Sequence, residues 1–186
     1  MEKIIFIILA SILISNNKNA NKYKSEIEKV KTFVNYNKDY AILIDYSIPN
    51  YKNRMFLINL NSKKIIKSFK VANGKSNNLY TLNKKDFSNK VGSNKSSYGV
   101  SVVSERGYSN WGIRVKYILE GLEKTNTNIK KRNIVLHSYS GIKENIQPIV
   151  KSQGCPTVSN DTMEYLDKFF NKNKKILIYT FSNEKK

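Results

Sequence analysis

The sequence predicts an α+β domain dominated by β-structure, and three observations carry that prediction. Strand-like runs follow one another along the chain instead of alternating with helical segments, which argues against a doubly wound α/β architecture. The runs "RMFLINL" (54–60) and "KIIKSFKVAN" (64–73) flank the polar triplet Asn61-Ser62-Lys63, a hairpin signal. Helical spacing of apolar residues is confined to two segments, 25–36 and 159–172.

Taken in order, "SEIEKVKTFVNY" (25–36) sets Ile27, Val30 and Phe33 or Val34 at helical spacing, with Ser25 as its cap. "YAILIDYSI" (40–48) is β-rich and stops before Pro49. After the hairpin, residues 74–95 are polar and turn-rich and read as a long loop. "SYGVSVVSE" (97–105) and "WGIRVKYIL" (111–119) read as two strands around "RGYSN". "NIVLHS" (133–138) is a short apolar strand that ends at a histidine. "SNDTMEYLDKFFNK" (159–172) is a helix with Ser/Asx capping and with Leu166, Phe169 and Phe170 on one side. "KILIYTF" (175–181) is the last strand.

The segment "MEKIIFIILASILIS" has a lysine, an apolar run from Ile4 to Ile14 and then a change to polar residues, the layout of an export signal. Eleven helical residues span about 17 Å, too little for a hydrocarbon core of ~30 Å. Ala20 and Ser15 are the candidate ends, with Lys18 standing where a small residue is favoured. Retention as an N-terminal anchor is the alternative. The expected organisation is therefore a signal or anchor at 1–20, a polar tether and helix at 21–39, and the main domain at 40–186. The expected location is extracytoplasmic, in a periplasm or cell wall.

The formal net charge is +19, from 33 Lys and Arg against 14 Asp and Glu. Such a balance draws polyanions: nucleic acid, anionic lipid or an acidic wall matrix. The lysines, however, are scattered among asparagines, and runs such as "KKR" (130–132) and "NKNKK" (171–175) are short. No basic stripe marks a specific nucleic-acid partner. Membrane contact is expected only through the N-terminal segment, if it is retained.

Cys155 is the only cysteine and His137 the only histidine, eighteen positions apart. An exported chain with one cysteine closes no internal disulfide. A thiolate is a nucleophile, and a nearby imidazole can take its proton. Gly154 allows a sharp turn beside the thiol. Pro156 has no N–H, so backbone donors to an oxyanion must lie at Cys155, Gly154 or Gln153. One Cys and one His are too few for the usual set of N/S ligands, so no metal is expected. Read alone, a residue of either kind is more often a buried structural one than a catalyst.

The run His137-Ser138, followed after fourteen residues by Ser152-Gln153-Gly154-Cys155, resembles the L,D-transpeptidase catalytic domain, the YkuD-like fold. That family's pattern is a histidine followed by Ser/Thr-His-Gly-Cys. This chain has Gln153 in place of the second histidine, and Pro156-Thr157-Val158 after the cysteine. Both departures resemble a murein L,D-transpeptidase branch with a "SQGCP" ending. "FSNKVGSNKSSYGV" (87–100) and "LEGLEKTNTNIKKRNIVLHS" (119–138) are similar to that branch as well.

The resemblance implies a β-rich mixed sandwich with a few peripheral helices. It implies Cys155 as nucleophile, His137 as its base, the Ser138 carbonyl orienting the imidazole, and N–H groups around Gly154 and Cys155 as oxyanion donors. The implied substrate is the peptidoglycan stem: attack at the third residue releases the terminal D-amino acid, and a second stem's amine takes the acyl group as a 3→3 cross-link. Carbapenem-type inhibitors are implied as acylating ligands, and no metal or organic cofactor is implied. Ser152, Gln153, Ser97, Tyr98 and Arg132 are the candidate substrate-binding residues, Arg132 by a bidentate grip on a carboxylate. Ser96 is a further candidate for the cleft, and Trp111 and the tyrosines are expected in core and rim.

Two other readings stand beside this one. Water as acceptor would make the protein a hydrolase, an L,D-carboxypeptidase or a cleaver of protein–murein links. A non-catalytic exported protein binding wall polymer or nucleic acid would be sensitive to salt and indifferent to Cys155→Ala. A catalytic thiol is expected to label faster, and at lower pH, than a buried structural one.

Overall fold

A computed structural model of the chain describes residues 22–183, Ile146 excepted. The export segment expected at 1–20 lies outside the described residues. The elements are α1 (Lys24–Lys31), β1 (Tyr40–Asp45), β2 (Met55–Asn59), β3 (Lys64–Phe69), a 3-10 turn (Lys84–Asp86), β4 (Gly99–Tyr108), β5 (Val115–Gly121), β6 (Val135–Ser138), β7 (Thr157–Val158), α2 (Asn160–Lys172) and β8 (Leu177–Phe181).

The strands form one mixed sheet in the order β3-β2-β1-β8-β4-β5-β6-β7. Its two ends meet. Ala72, just past β3, bridges Thr157 of β7 in antiparallel fashion, and the Ala72 N–H donates to the Thr157 carbonyl at 2.7 Å. The sheet is thereby nearly closed, a β-rich sandwich-like arrangement with two α-helices among the described residues. β1 is central and covered on both sides, so its alternation separates two cores. Ile42 and Ile44 join one cluster with Met163, Leu166 and Phe170 of α2. Ala41 and Leu43 join the other with Tyr23, Ile27 and Val30 beside and within α1. Strand period and helix stripe agree about which residues face inward.

The hairpin forms as expected, β2 against β3 in antiparallel pairing. The Asn59 side-chain oxygen accepts from the N–H groups of Asn61 and Ser62 (3.1 and 2.8 Å), and Lys63 takes the left-handed conformation. The first helix differs from expectation at both ends. Tyr23, not Ser25, stands at its N-cap, and Ser25 lies inside it with its hydroxyl on Glu26. It stops at Lys31 because the Thr32 hydroxyl takes the Lys29 carbonyl at 2.7 Å and the next bond, Phe33 N–H to Val30 carbonyl, spans three residues. Val34 is left exposed.

α2 starts where its sequence places it. The Ser159 hydroxyl accepts from the Thr162 N–H at 3.2 Å and donates to the Glu144 carboxylate, tying the preceding loop to the helix. Ser159→Ala is expected to lower stability by about 1 kcal/mol. In thermal denaturation that is a fall in Tm of roughly 2–4 °C for a domain of this size.

Candidate active site

Strand β6 alternates in burial, with Leu136 and Ser138 in the interior and Val135 and His137 on the half-buried side. Antiparallel pairing sets Lys116 of β5 opposite His137, and parallel pairing sets Thr157 of β7 on its other side. His137 Nδ1 lies 3.0 Å from the Ser138 carbonyl oxygen. A carbonyl only accepts, so Nδ1 carries the proton and Nε2 is left as the acceptor. Nε2 is 3.2 Å from Thr157 Oγ1.

Ser138 is held in place from the next strand connection. The Ile113 N–H donates to Ser138 Oγ at 3.1 Å. Gly112 approaches so closely that a Cβ there would lie 2.0 Å from Ser138 Oγ and 2.6 Å from its carbonyl oxygen, and its φ is +56°. Only glycine fits between that loop and the imidazole's acceptor. Burial pushes the His137 pKa below its ordinary value; the Ser138 carbonyl opposes the shift and Lys116 adds to it. The imidazole is therefore neutral at neutral pH, the form that can take a proton.

Cys155 sits at the end of a tight turn built by Ser152. The Ser152 hydroxyl donates to the Cys155 carbonyl at 2.6 Å and accepts from the Gly154 N–H at 3.1 Å. The Ser152 N–H donates to the Asn73 carbonyl at 2.8 Å. The Asn73 side chain in turn accepts from the buried Arg54 guanidinium at 2.6 Å, so the turn rests on the core. Gly154 has φ +113°, and a Cβ there would meet Ile134 Cδ1 at 2.8 Å and the Lys95 carbonyl at 2.9 Å.

The Cys155 sulfur accepts from the Val135 N–H at 3.5 Å and can donate to the Asn133 carbonyl at 3.7 Å. Among the described residues no hydrogen bond joins the thiol to the imidazole, although both line one cavity. Burial pushes the Cys155 pKa up; the Val135 N–H, Arg132 and Lys116 pull it down without winning. The resting pair is thus a neutral thiol beside a neutral imidazole, not a preformed ion pair. The expectation of a thiol that labels at unusually low pH does not follow from this geometry.

Several expected substrate contacts have other tasks. Arg132 donates through Nη1 to the Ser88 carbonyl and to Ser97 Oγ (2.8 Å), and through Nη2 to Ser93 Oγ (3.2 Å) and the Lys95 carbonyl (2.5 Å). Both terminal nitrogens are thus engaged, and Arg132 clamps the 88–97 loop and supplies a positive charge near the thiol. Ser97 is buried as an acceptor of that clamp. Ser96 is also buried, accepting from the Gly74 N–H at 2.9 Å. Tyr98 packs in the core beside α1, its ring 5.4 Å from Phe87 and its hydroxyl 3.4 Å from that of Tyr179. Ser152 does line the cavity, but its hydroxyl is engaged in the turn. The Gly154 N–H is engaged there too. Gln153 and Cys155 N–H have no partner among the described residues and are the donors left for an oxyanion.

The cavity shared by His137 and Cys155 has a volume of about 400 Å³. Gln153, Lys151 and Thr157 give it polar edges, and Trp111, Tyr139 and Val150 form an apolar wall. Trp111 stands 58% exposed, edge-on to Tyr139 with ring centroids 5.7 Å apart. Tyr139 and Thr157 escaped the sequence reading. Each lies two positions beyond a chemical residue, His137 or Cys155, which was the available signal.

Residues 14–179 match a family model described as the L,D-transpeptidase catalytic domain. No curated protein matches the chain in sequence. Solved structures with a similar fold include the helical cell shape determining protein Pgp2 from Campylobacter jejuni, at 14% identity and TM-score 0.48, covering 89% of this chain and 56% of that one. Bd1075 from Bdellovibrio bacteriovorus is 18% identical with TM-score 0.45, covering 78% of this chain and 48% of that one. An L,D-transpeptidase from Xylanimonas cellulosilytica is 11% identical with TM-score 0.41, covering 78% and 61%. The chain spans about half to three-fifths of the length of these structures.

Proposed function

Because the chain belongs to the L,D-transpeptidase catalytic-domain family, we propose that it is a cysteine acyltransferase acting on peptidoglycan stem peptides outside the cytoplasm. The observation that carries this reading is the meeting of the sole thiol and the sole imidazole on one cavity, with the imidazole's Nδ1 occupied by a carbonyl and its Nε2 an acceptor.

The chemistry follows from that arrangement. The Cys155 sulfur attacks the carbonyl carbon of the stem's third residue as its proton passes to His137 Nε2. The carbonyl oxygen, now charged, is received by the N–H groups of Gln153 and Cys155. Collapse expels the terminal D-amino acid, whose amine takes the proton from the imidazolium. The thioester is then attacked by the amine of a second stem, which forms the 3→3 amide and frees the thiol. Arg132 and Lys116 lower the cost of negative charge on sulfur during the first step. Arg132 acts in place, without touching substrate.

Incubating the purified protein with a stem tetrapeptide, with and without an amine-bearing acceptor stem, tests this by mass spectrometry of the products. Release of the terminal D-amino acid together with a cross-linked dimer is expected. Tripeptide alone in the presence of acceptor would make water the acceptor and the protein a hydrolase. Unchanged tetrapeptide would overturn the reading.

A further inference from the structure

We infer that Thr157 is a positioning residue for His137, whose hydroxyl hydrogen-bonds to Nε2 in both protonation states of the imidazole. For its purpose this rests on the acyl-transfer reading above. The observations are geometric. Thr157 lies directly across the β6–β7 ladder from His137. It is 4% exposed, yet it lines the cavity. Its Oγ1 is 3.2 Å from His137 Nε2 and 3.3 Å from the Cys155 carbonyl oxygen.

A hydroxyl has one proton to donate and two lone pairs. While the imidazole is neutral, Nε2 offers one lone pair, which the Thr157 hydroxyl can occupy only until it turns its proton to the Cys155 carbonyl and leaves that lone pair to the thiol proton. Once the thiol proton has passed to Nε2, that bond must reverse: Nε2–H donates and Oγ1 accepts. The hydroxyl proton then needs another acceptor, and the Cys155 carbonyl is within reach. That carbonyl already accepts from Ser152 Oγ but has a second lone pair. A single rotation about the C–O bond of Thr157 thus serves both states without moving a heavy atom. The Ser138 carbonyl cannot do this, because it holds Nδ1–H unchanged throughout.

The charged and titratable groups around the pair come from every packed element. Lys116 faces it from β5, and Arg132 bears on the thiol from the turn before β6. Tyr139 and Lys151 stand on the cavity wall. Tyr46 carries its hydroxyl on the Ala72 carbonyl at 3.0 Å. None of these groups has a hydrogen bond to Nε2, so the acceptor for its proton in the charged state is Thr157.

Alkylation of Cys155 by iodoacetamide tests this without any peptide substrate. The S–C bond forms, iodide leaves, and the thiol proton goes to Nε2. Thr157→Val keeps the shape and removes the hydroxyl. It is expected to slow alkylation near neutral pH by roughly five- to tenfold, because the bond to the charged imidazole is worth more than the bond to the neutral one. It should also move the pH–rate profile toward higher pH. Thr157→Ser keeps the hydroxyl and should react within about twofold of wild type, which also guards against a loss of folding. In a His137→Ala background, Thr157→Val should add nothing, because there is no imidazole to position. Wild-type alkylation by Thr157→Val, or an equal loss with and without His137, would overturn the assignment. These readouts are independent of peptidoglycan. Unprocessed stem peptide alongside the expected alkylation pattern would therefore remove the proposed function and leave the positioning role standing.

Discussion

Cys155→Ala is expected to abolish acyl transfer while leaving the domain folded. The loss follows because Cys155 carries the only thiol, and the hydroxyl that lies on His137, that of Thr157, is buried between the imidazole and the Cys155 carbonyl; removal of a nucleophile from such a unit costs on the order of 10⁴–10⁶ in turnover. What survives is whatever binding and the Gln153 and Cys155 N–H groups provide on their own. The fold should tolerate the change because the thiol's two bonds, at 3.5 and 3.7 Å, are weak, and the turn is held by Ser152 instead. A change in stability of no more than about 1 kcal/mol is expected. Turnover of the stem tetrapeptide and a melting curve on the same preparation check both halves. A folded Cys155→Ala protein that retains turnover would contradict the account.

His137→Ala is expected to slow turnover by roughly 10²–10⁴ at neutral pH, the usual contribution of a general base. The size of the deficit should depend on pH, and the sign follows from the two shifts. Burial raises the Cys155 pKa, so at neutral pH the thiol stays protonated and needs a base. Burial lowers the His137 pKa, so in wild type the base-competent neutral imidazole persists to lower pH than for an ordinary histidine. As pH rises through the thiol's elevated range, thiolate forms without help, and the variant should gain on wild type. Rates measured from acid to alkaline pH should show the gap narrowing with pH. A constant ratio would mean that His137 does not act as the base.

Much of the frame was legible in the sequence because it is locally encoded. The Ser159 cap, the turn at Asn61-Ser62-Lys63 and the β-rich run of β1 each rest on neighbouring residues, and all three appear in the structure. What escaped is what only tertiary pairing creates. β7 is two residues long and exists because β6 and Ala72 pair with it on either side, so no periodicity could announce it. Arg132, Ser97 and Ser96 carry the residue types of a binding site, but loop 88–97 folds back on itself and makes them its internal braces. The thiol's environment was equally invisible. Its neighbours Val135 and Asn133 are twenty positions or more away in the chain, and they decide that burial outweighs the positive charges nearby.

Gln153, the departure from the family's histidine, becomes intelligible in part. Its side chain stands at the exposed lip of the cavity, and its backbone N–H is one of two donors left free by the turn. In the proposed mechanism His137 is the base, so a second imidazole at this position is not needed for proton transfer from the thiol. The chemistry depends on the turn's backbone here, and the backbone is set by Ser152 and Gly154.

The central claim is that Cys155 is an acyl-accepting nucleophile driven by His137. Tandem mass spectrometry of the protein after exposure to a carbapenem tests it most directly. The account predicts one covalent adduct, located on Cys155, and its slow formation in His137→Ala at neutral pH. An unmodified Cys155, or an adduct located on another residue, would contradict it.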